Sequence, residues 1–213
     1  ADNLFQFIKN TAYDESTTLA AEKGPFPAYS PQLLDSGFAK TLKRGIRSKI
    51  RTHGLRNAAL LTVAPTGTTG MVHGVTTGIE PVMSARYLRR YNTEEGQDSA
   101  VVEDWHSIAY PDHIEDASNM HPEEHFKMQE VVQMHVDNAV SKTINLPKAF
   151  PKEELSDLWL KYLPSIKGST FYRWGSRENE PIQPLAPAAE VEEVEADPLV
   201  PFDPSCPDGS CEL

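Results

Sequence analysis

The chain changes character at Glu178. From there to Leu213 ten acidic residues and seven prolines occur without a single lysine or arginine. Such a segment carries too little apolar surface to offset the entropy of ordering it. Folding is therefore expected in residues 1–177. Residues 178–205 read as a flexible acidic tether, and residues 206–213 as a tip. That tip holds the only two cysteines, Cys206 and Cys211. A thiol pair so far from any core needs no tether to stabilise one, but needs one if it travels.

The tail carries nearly all of the net charge of −11, since 20 basic and 21 of the 31 acidic residues lie in residues 1–177. An acidic balance argues against a general nucleic-acid binder. No apolar run approaches the ~18 residues of a membrane span, and the start lacks a basic-then-apolar leader pattern. Two cysteines are not a secreted disulfide framework. The reading is cytoplasmic.

Leu4, Phe7, Ile8, Ala12 and Leu19 recur near a 3.6 period, which predicts a helix over residues 1–23, closed by Gly24-Pro25-Phe26-Pro27. Leu42, Ile46 and Ile50 predict a second helix with a basic outer face from Lys43 to Arg56. Ala58 to Ala64 (AALLTVA) predicts a strand covered on both sides. Asn92 to Ala100 reads as a surface loop. Helices are predicted over Pro122–Val140 and Glu153–Leu163, and a strand over Thr170–Trp174. The alternation indicates an α/β domain.

Pro65-Thr66-Gly67-Thr68-Thr69-Gly70 falls between the predicted strand and a helix beginning near Met71. Amides at a helix start form an anion site, glycines permit close approach, and threonine hydroxyls add donors. The loop lacks the lysine of GxxxxGK[ST], so nucleoside-triphosphatase chemistry fits poorly. An ordinary threonine-capped turn is the competing reading.

Residues Gly54 to Tyr91, GLRNAALLTVAPTGTTGMVHGVTTGIEPVMSARYLRRY, resemble the phosphate-binding region of ribonucleotide reductases, most closely the adenosylcobalamin-dependent class. SKTINLP (Ser141–Pro147) and KGSTFYRWGSR (Lys167–Arg177) resemble that family's closing barrel segments. The ending CPDGSCEL resembles its mobile thiol pair. The resemblance implies the C-terminal part of a ten-stranded α/β barrel, followed by a disordered acidic, proline-rich tail. It also implies substrate phosphate binding by Pro65, Thr66, Gly67, Thr68 and Thr69, with Tyr172 either lining the substrate site or packed in the barrel. Cys206 and Cys211 would re-reduce an active-site disulfide and be reset by thioredoxin or glutaredoxin.

The family's barrel cysteines, its asparagine-proline-cysteine finger and its N-terminal allosteric region have no counterpart in this sequence. The resemblance therefore implies either a separately encoded small subunit or a fragment of a longer polypeptide, inactive without a large N-terminal portion. A non-catalytic regulatory or interaction subunit is the alternative. Tyr172-Arg173 stands where radical-importing members carry adjacent tyrosines, which implies adenosylcobalamin as cofactor.

Flexible-chain scaling gives the tether an r.m.s. span of roughly 30 Å and an extended reach of about 90 Å. Pro207-Asp208-Gly209 is turn chemistry that can bring the two sulfurs together. His121-Pro122-Glu123-Glu124-His125 matches H-x-x-E-H, but Pro122 sets His121 at the helix start and no third ligand is evident, so no metal site is assigned. The basic run from Lys43 to Arg56 could meet an acidic partner or nucleic acid, but reads first as a solvated helix face.

Overall fold

The computed structural model describes residues 1–93, 96–176 and 182–185. Helix α1 (Asp2–Lys23) ends where glycine and proline demanded: Gly24 takes φ 79° and its N–H returns to the Ala20 carbonyl. The face it buries differs from the expected one. Leu4 and Phe7 are 60% and 67% exposed, while Lys9, Tyr13, Ser16, Thr17 and Ala20 point inward. These polar groups are tolerated because each finds a partner. The Lys9 ammonium donates to Thr41 Oγ1, the Tyr13 hydroxyl to Asp137 and the Ser16 hydroxyl to Asn57.

After a 3-10 turn (Pro31–Asp35) and the short α2 (Gly37–Lys40), α3 (Arg44–His53) buries Ile46 and Ile50 against Tyr13, Leu34, Leu42 and Leu55. Arg44, Lys49, Arg51 and His53 are exposed, while Arg47 is half-buried. Helix α4 (Gly67–Val72) follows the threonine-rich loop. Strands β1 (Arg86–Thr93) and β2 (Gly96–Glu103) form an antiparallel hairpin, in register Arg86 opposite Glu103. Where a loop was expected at Asn92–Ala100, Asn92 and Thr93 end β1 and Gly96–Ala100 begin β2; the polar composition disguised strand pairing that begins at Arg86 opposite Glu103.

Helix α5 (Trp105–Ala109) is capped by Asp104, whose carboxylate accepts from the His106 and Ser107 amides. Helix α6 (Pro122–Gln133) is seven residues shorter than the predicted Pro122–Val140. The Gln133 side chain donates to the Val136 and Asn138 carbonyls, at 2.9 and 2.8 Å, and so closes the turn beyond the helix. Strand β3 (Thr143–Leu146) pairs in parallel with β4 (Thr170–Arg173), bridged in sequence by α7 (Lys152–Tyr162). Phe126, Ile144, Leu146, Tyr162 and Ile166 form the core beneath them.

Two fold expectations are corrected. Instead of a ten-stranded barrel, the described residues carry five short strands in two open sheets, β2-β1-β5 and β3-β4. The run Ala58–Ala64 shows why the sheet does not extend. It makes one parallel bridge, Val63 to Val140, while Ala58, Ala59 and Ala64 are exposed. The amides of Leu60 and Leu61 donate instead to the Asp137 carboxylate, at 2.8 and 2.7 Å. Donors committed to a side chain cannot extend a strand ladder.

The second correction concerns the tail. Within the stretch expected to lack packed structure, β5 (Ile182–Pro184) pairs antiparallel with Tyr87–Arg89, and the Leu185 amide donates to the Arg86 carbonyl at 2.9 Å. Among the described residues, no helix is long and apolar enough to cross a membrane.

Candidate functional site

The loop Pro65–Thr69 leaves the Val63 bridge and enters α4. All five residues are exposed. Thr66 adopts φ 32°, the left-handed region that a β-branched residue rarely occupies. Its carbonyl accepts from the Gly70 amide at 2.9 Å, which turns the chain into the helix. The Gly67, Thr68 and Thr69 amides lie in the first turn and have no preceding helical carbonyl to serve. A Cβ at Gly67 would meet open space, so the loop is uncrowded.

The floor beneath is tight. A Cβ on Gly70 would come within 2.5 Å of Thr77 Cγ2, and one on Gly78 within 3.2 Å of the Ala64 carbonyl oxygen. The Val75 amide donates to the Gly70 carbonyl at 3.0 Å, so the chain folds back under its own loop. Trp105 Nε1 donates to the Gly74 carbonyl at 2.9 Å and ties α5 alongside. Val72, Val75, Trp105 and Ile108 leave an exposed apolar surface beside the loop.

The returning segment ends at Glu80, which sequence reasoning did not single out. Its carboxylate accepts from the buried Lys142 ammonium at 2.5 Å and from the Thr143 amide at 2.6 Å. The same ammonium lies 2.9 Å from His125 Nδ1 and donates to the Thr143 carbonyl at 2.7 Å. Loop, β3 and α6 thus meet at one ion pair. Burial lowers the Lys142 pKa against the pull of Glu80. Burial and the neighbouring ammonium hold His125 down at about 4. With Nδ1 accepting, the neutral ring carries its proton on Nε2, a buried atom without a hydrogen-bond partner among the described residues.

His125 in an unfolded chain titrates near ~6.5, so the unfolded state takes up a proton more readily than the folded state. This contribution to stability is complete above about pH 6.5 and is lost as pH falls toward 4. The expected loss by pH 4 is roughly 3 kcal/mol, read from urea midpoints. A His125→Gln chain should show a shallower slope across that window; an unchanged slope would assign the acid sensitivity elsewhere.

His125 belongs to a buried polar stripe on α6 that the apolar pattern hid. Gln129 Nε2 donates to the carbonyls of Val140 and Gly168, at 3.1 and 2.7 Å. Gln133 continues the stripe one turn on. These amides satisfy backbone at the start of β3 and β4 without further strands. An i, i+4, i+8 spacing of His125, Gln129 and Gln133 was the available sequence signal.

The remaining sequence expectations are placed as follows. Tyr172 is half-buried, its ring edge-on to Trp174 at 5.3 Å. Arg173 donates to the carbonyls of Pro147, Lys148 and Phe150, binding the loop after β3. His121 caps α6 by accepting from the Glu123 amide, whereas His125 faces Lys142; the two imidazoles share no site. Among the described residues no group of three or more His, Cys, Asp or Glu is placed to hold a metal ion. Cys206 and Cys211 lie outside the described residues. A cleft of about 430 Å³ lined by Lys9, Phe38, Thr41, His135 and Lys167 includes none of the loop.

Residues 1–171 match the family described as "Ribonucleotide reductase, barrel domain". The vitamin B12-dependent ribonucleoside-diphosphate reductase of Mycobacterium tuberculosis is 30% identical across 100% of this chain, which covers 32% of that protein. The vitamin B12-dependent enzyme of Thermoplasma acidophilum is 25% identical over 99% of this chain and 31% of its own length. Ribonucleoside-diphosphate reductase 1 subunit alpha of Escherichia coli is 27% identical over 100% and 30%.

The chain thus spans about a third of the length of these relatives. In them the matched region is part of one longer polypeptide. Of the two expected arrangements, a fragment of a longer polypeptide or a separate small subunit with a large N-terminal partner subunit, the second is overturned, because each of these relatives carries the matched region within one longer chain.

Proposed function

The chain belongs to the ribonucleotide reductase barrel-domain family, and from that premise we propose that it contributes two parts of ribonucleotide reduction in the cytoplasm. One is a cradle for the substrate's phosphates; the other is a dithiol that resets the reaction. The exposed loop Pro65–Thr69 carries the proposal: its first-turn amides lack helical partners, Thr68 and Thr69 add hydroxyls, and Gly67 leaves room for an anion. Glu80 and Lys142 hold the floor of that loop against β3. Tyr172, at the end of the β3-β4 pair, would line the substrate's other side.

The dithiol is Cys206 and Cys211. Their tether is rooted at Leu185, because β5 is paired to β1. From that root flexible-chain scaling gives Cys206 an r.m.s. reach of roughly 25 Å and an extended reach of about 70 Å. Thioredoxin or glutaredoxin would reduce the pair outside.

The names of the Mycobacterium and Thermoplasma relatives support adenosylcobalamin as the cofactor. The exposed apolar side chains Val72, Val75, Trp105 and Ile108 are the ones that would meet such a macrocycle. Held in the complete enzyme, the cofactor would supply a homolysable cobalt–carbon bond. Turnover by the complete polypeptide in the absence of any cobalamin would remove this assignment.

The phosphate cradle is tested by Thr68→Val with Thr69→Val in the complete enzyme. Loss of two hydroxyl donors should weaken substrate nucleotide binding roughly tenfold to a hundredfold. Unaltered binding, measured calorimetrically, would leave the loop a structural turn.

A further inference from the structure

Between Ser36 and Ile79 the chain carries seven lysines and arginines and not one acidic residue. The fold concentrates them. Ile46 and Ile50 draw one face of α3 into the core, so Lys43, Arg44, Lys49, Arg51, His53 and Arg56 are all exposed at the other. Among the described residues only Lys49 of this set has an ion-pair partner, Asp14 at 2.6 Å. The α3 face is a dense positive surface on a body, residues 1–177, that elsewhere carries 13 basic and 21 acidic residues.

The opposite charge lies in the same polypeptide. Beyond Leu185 come 28 residues with eight acidic and no basic side chains. Five of them, Glu190, Glu192, Glu193, Glu195 and Asp197, fall within eight positions. Extended, that run spans roughly 25 Å, comparable with the ~20 Å from Lys43 to Arg56 along α3 and the chain that follows. We propose that the solvent face of α3 is the docking surface for this chain's own acidic segment Glu190–Asp197, which parks the dithiol tip beside it.

Attachment makes a weak attraction sufficient. A tethered segment is held at about millimolar effective concentration, so a site of about millimolar affinity is occupied near half the time. The β5 pairing shortens the free chain and sharpens this effect. Ion pairs of this exposed kind are screened by salt, so the segment is released easily rather than locked. Docking also sets arginines near thiols whose acidic neighbours would otherwise disfavour the thiolate. Neither the contact nor its test depends on the reductase reading.

The native cysteines supply the probe. With Cys211→Ser, a nitroxide on Cys206 of the 213-residue chain sits an r.m.s. ~16 Å from Asp197. At about 20 mM salt it should broaden the α3 amides, Arg44 to His53, at least twofold more than those of α7. About 1 M salt should abolish the difference. Glu192→Gln with Glu193→Gln and Glu195→Gln, placed in the tail and harmless to folding, should reduce it at low salt, as should Arg44→Gln with Arg51→Gln. Uniform broadening, broadening indifferent to salt, or broadening transferred only from a labelled to an unlabelled chain would each overturn the proposal; the last would assign the face to a second copy.

Discussion

Cys206→Ser or Cys211→Ser in a complete reductase polypeptide carrying this region is expected to abolish turnover driven by thioredoxin while leaving turnover driven by a small dithiol largely intact. The physical reason is access. A disulfide formed at a buried site cannot be reached by a protein reductant, whereas a pair on a flexible tether exchanges intramolecularly at about millimolar effective concentration. Exchange proceeds by thiolate attack through a mixed disulfide, so one remaining thiol can begin the reaction and cannot complete it. Each single replacement should therefore be as damaging as both together. The comparison of the two reductants separates a broken shuttle from a broken active site. Full thioredoxin-driven turnover by either variant would end the shuttle assignment, and equal loss with both reductants would move the cysteines into the folding or chemistry of the barrel.

Glu80→Ala is expected to destabilise the fold by about 3–5 kcal/mol, because it leaves the Lys142 ammonium buried without its counter-charge. The Lys142 side chain is 1% exposed beside a Glu80 that is itself 22% exposed, so the ammonium would lose its counter-charge in a largely buried site. The same change removes the acceptor of the Thr143 amide at the first residue of β3. Against a typical total of ~5–15 kcal/mol, such a loss leaves a marginal domain. Lys142→Met in the Glu80→Ala background should recover a large part of the stability, since the unpaired charge rather than the missing contact dominates the cost. Guanidinium denaturation of the four chains of this cycle measures the coupling. Additive losses would show that Glu80 and Lys142 do not act as a pair. Because Glu80 closes the segment beneath Pro65–Thr69, nucleotide affinity should fall along with stability.

What could be read without coordinates was the local punctuation. Gly24 with Pro25 and Pro27 had to stop α1, since a positive φ and a missing N–H cannot continue a helix. Ile46 and Ile50, one turn apart among cationic residues, had to give α3 one buried and one charged face. The family motifs likewise located the Pro65–Thr69 loop, and the loop stands exposed at the start of α4. The strand expected at Ala58–Ala64 fared differently. Its apolar run is suited to a buried sheet, but Asp137, some 76 positions away, takes the amides of Leu60 and Leu61. The buried polar positions of α6 were not legible for a similar reason. His125, Gln129 and Gln133 look like a solvent face until the carbonyls that Gln129 and Gln133 serve, and the Lys142 ammonium beside His125, come into view.

By itself, then, the sequence determined the elements whose causes lie within a few residues, the acidic charge of the tail, and the confinement of both thiols to its tip. Tertiary structure alone decided which faces of α1 and α6 are buried, that Ile182–Pro184 pairs with β1, and what holds the loop. Tyr13 and Asp137 are 124 positions apart, and Glu80 and Lys142 are 62 apart. Whether a lysine or an aspartate can be buried depends on whether its counter-charge or donors are waiting there, and only the folded chain brings such distant groups within hydrogen-bonding range.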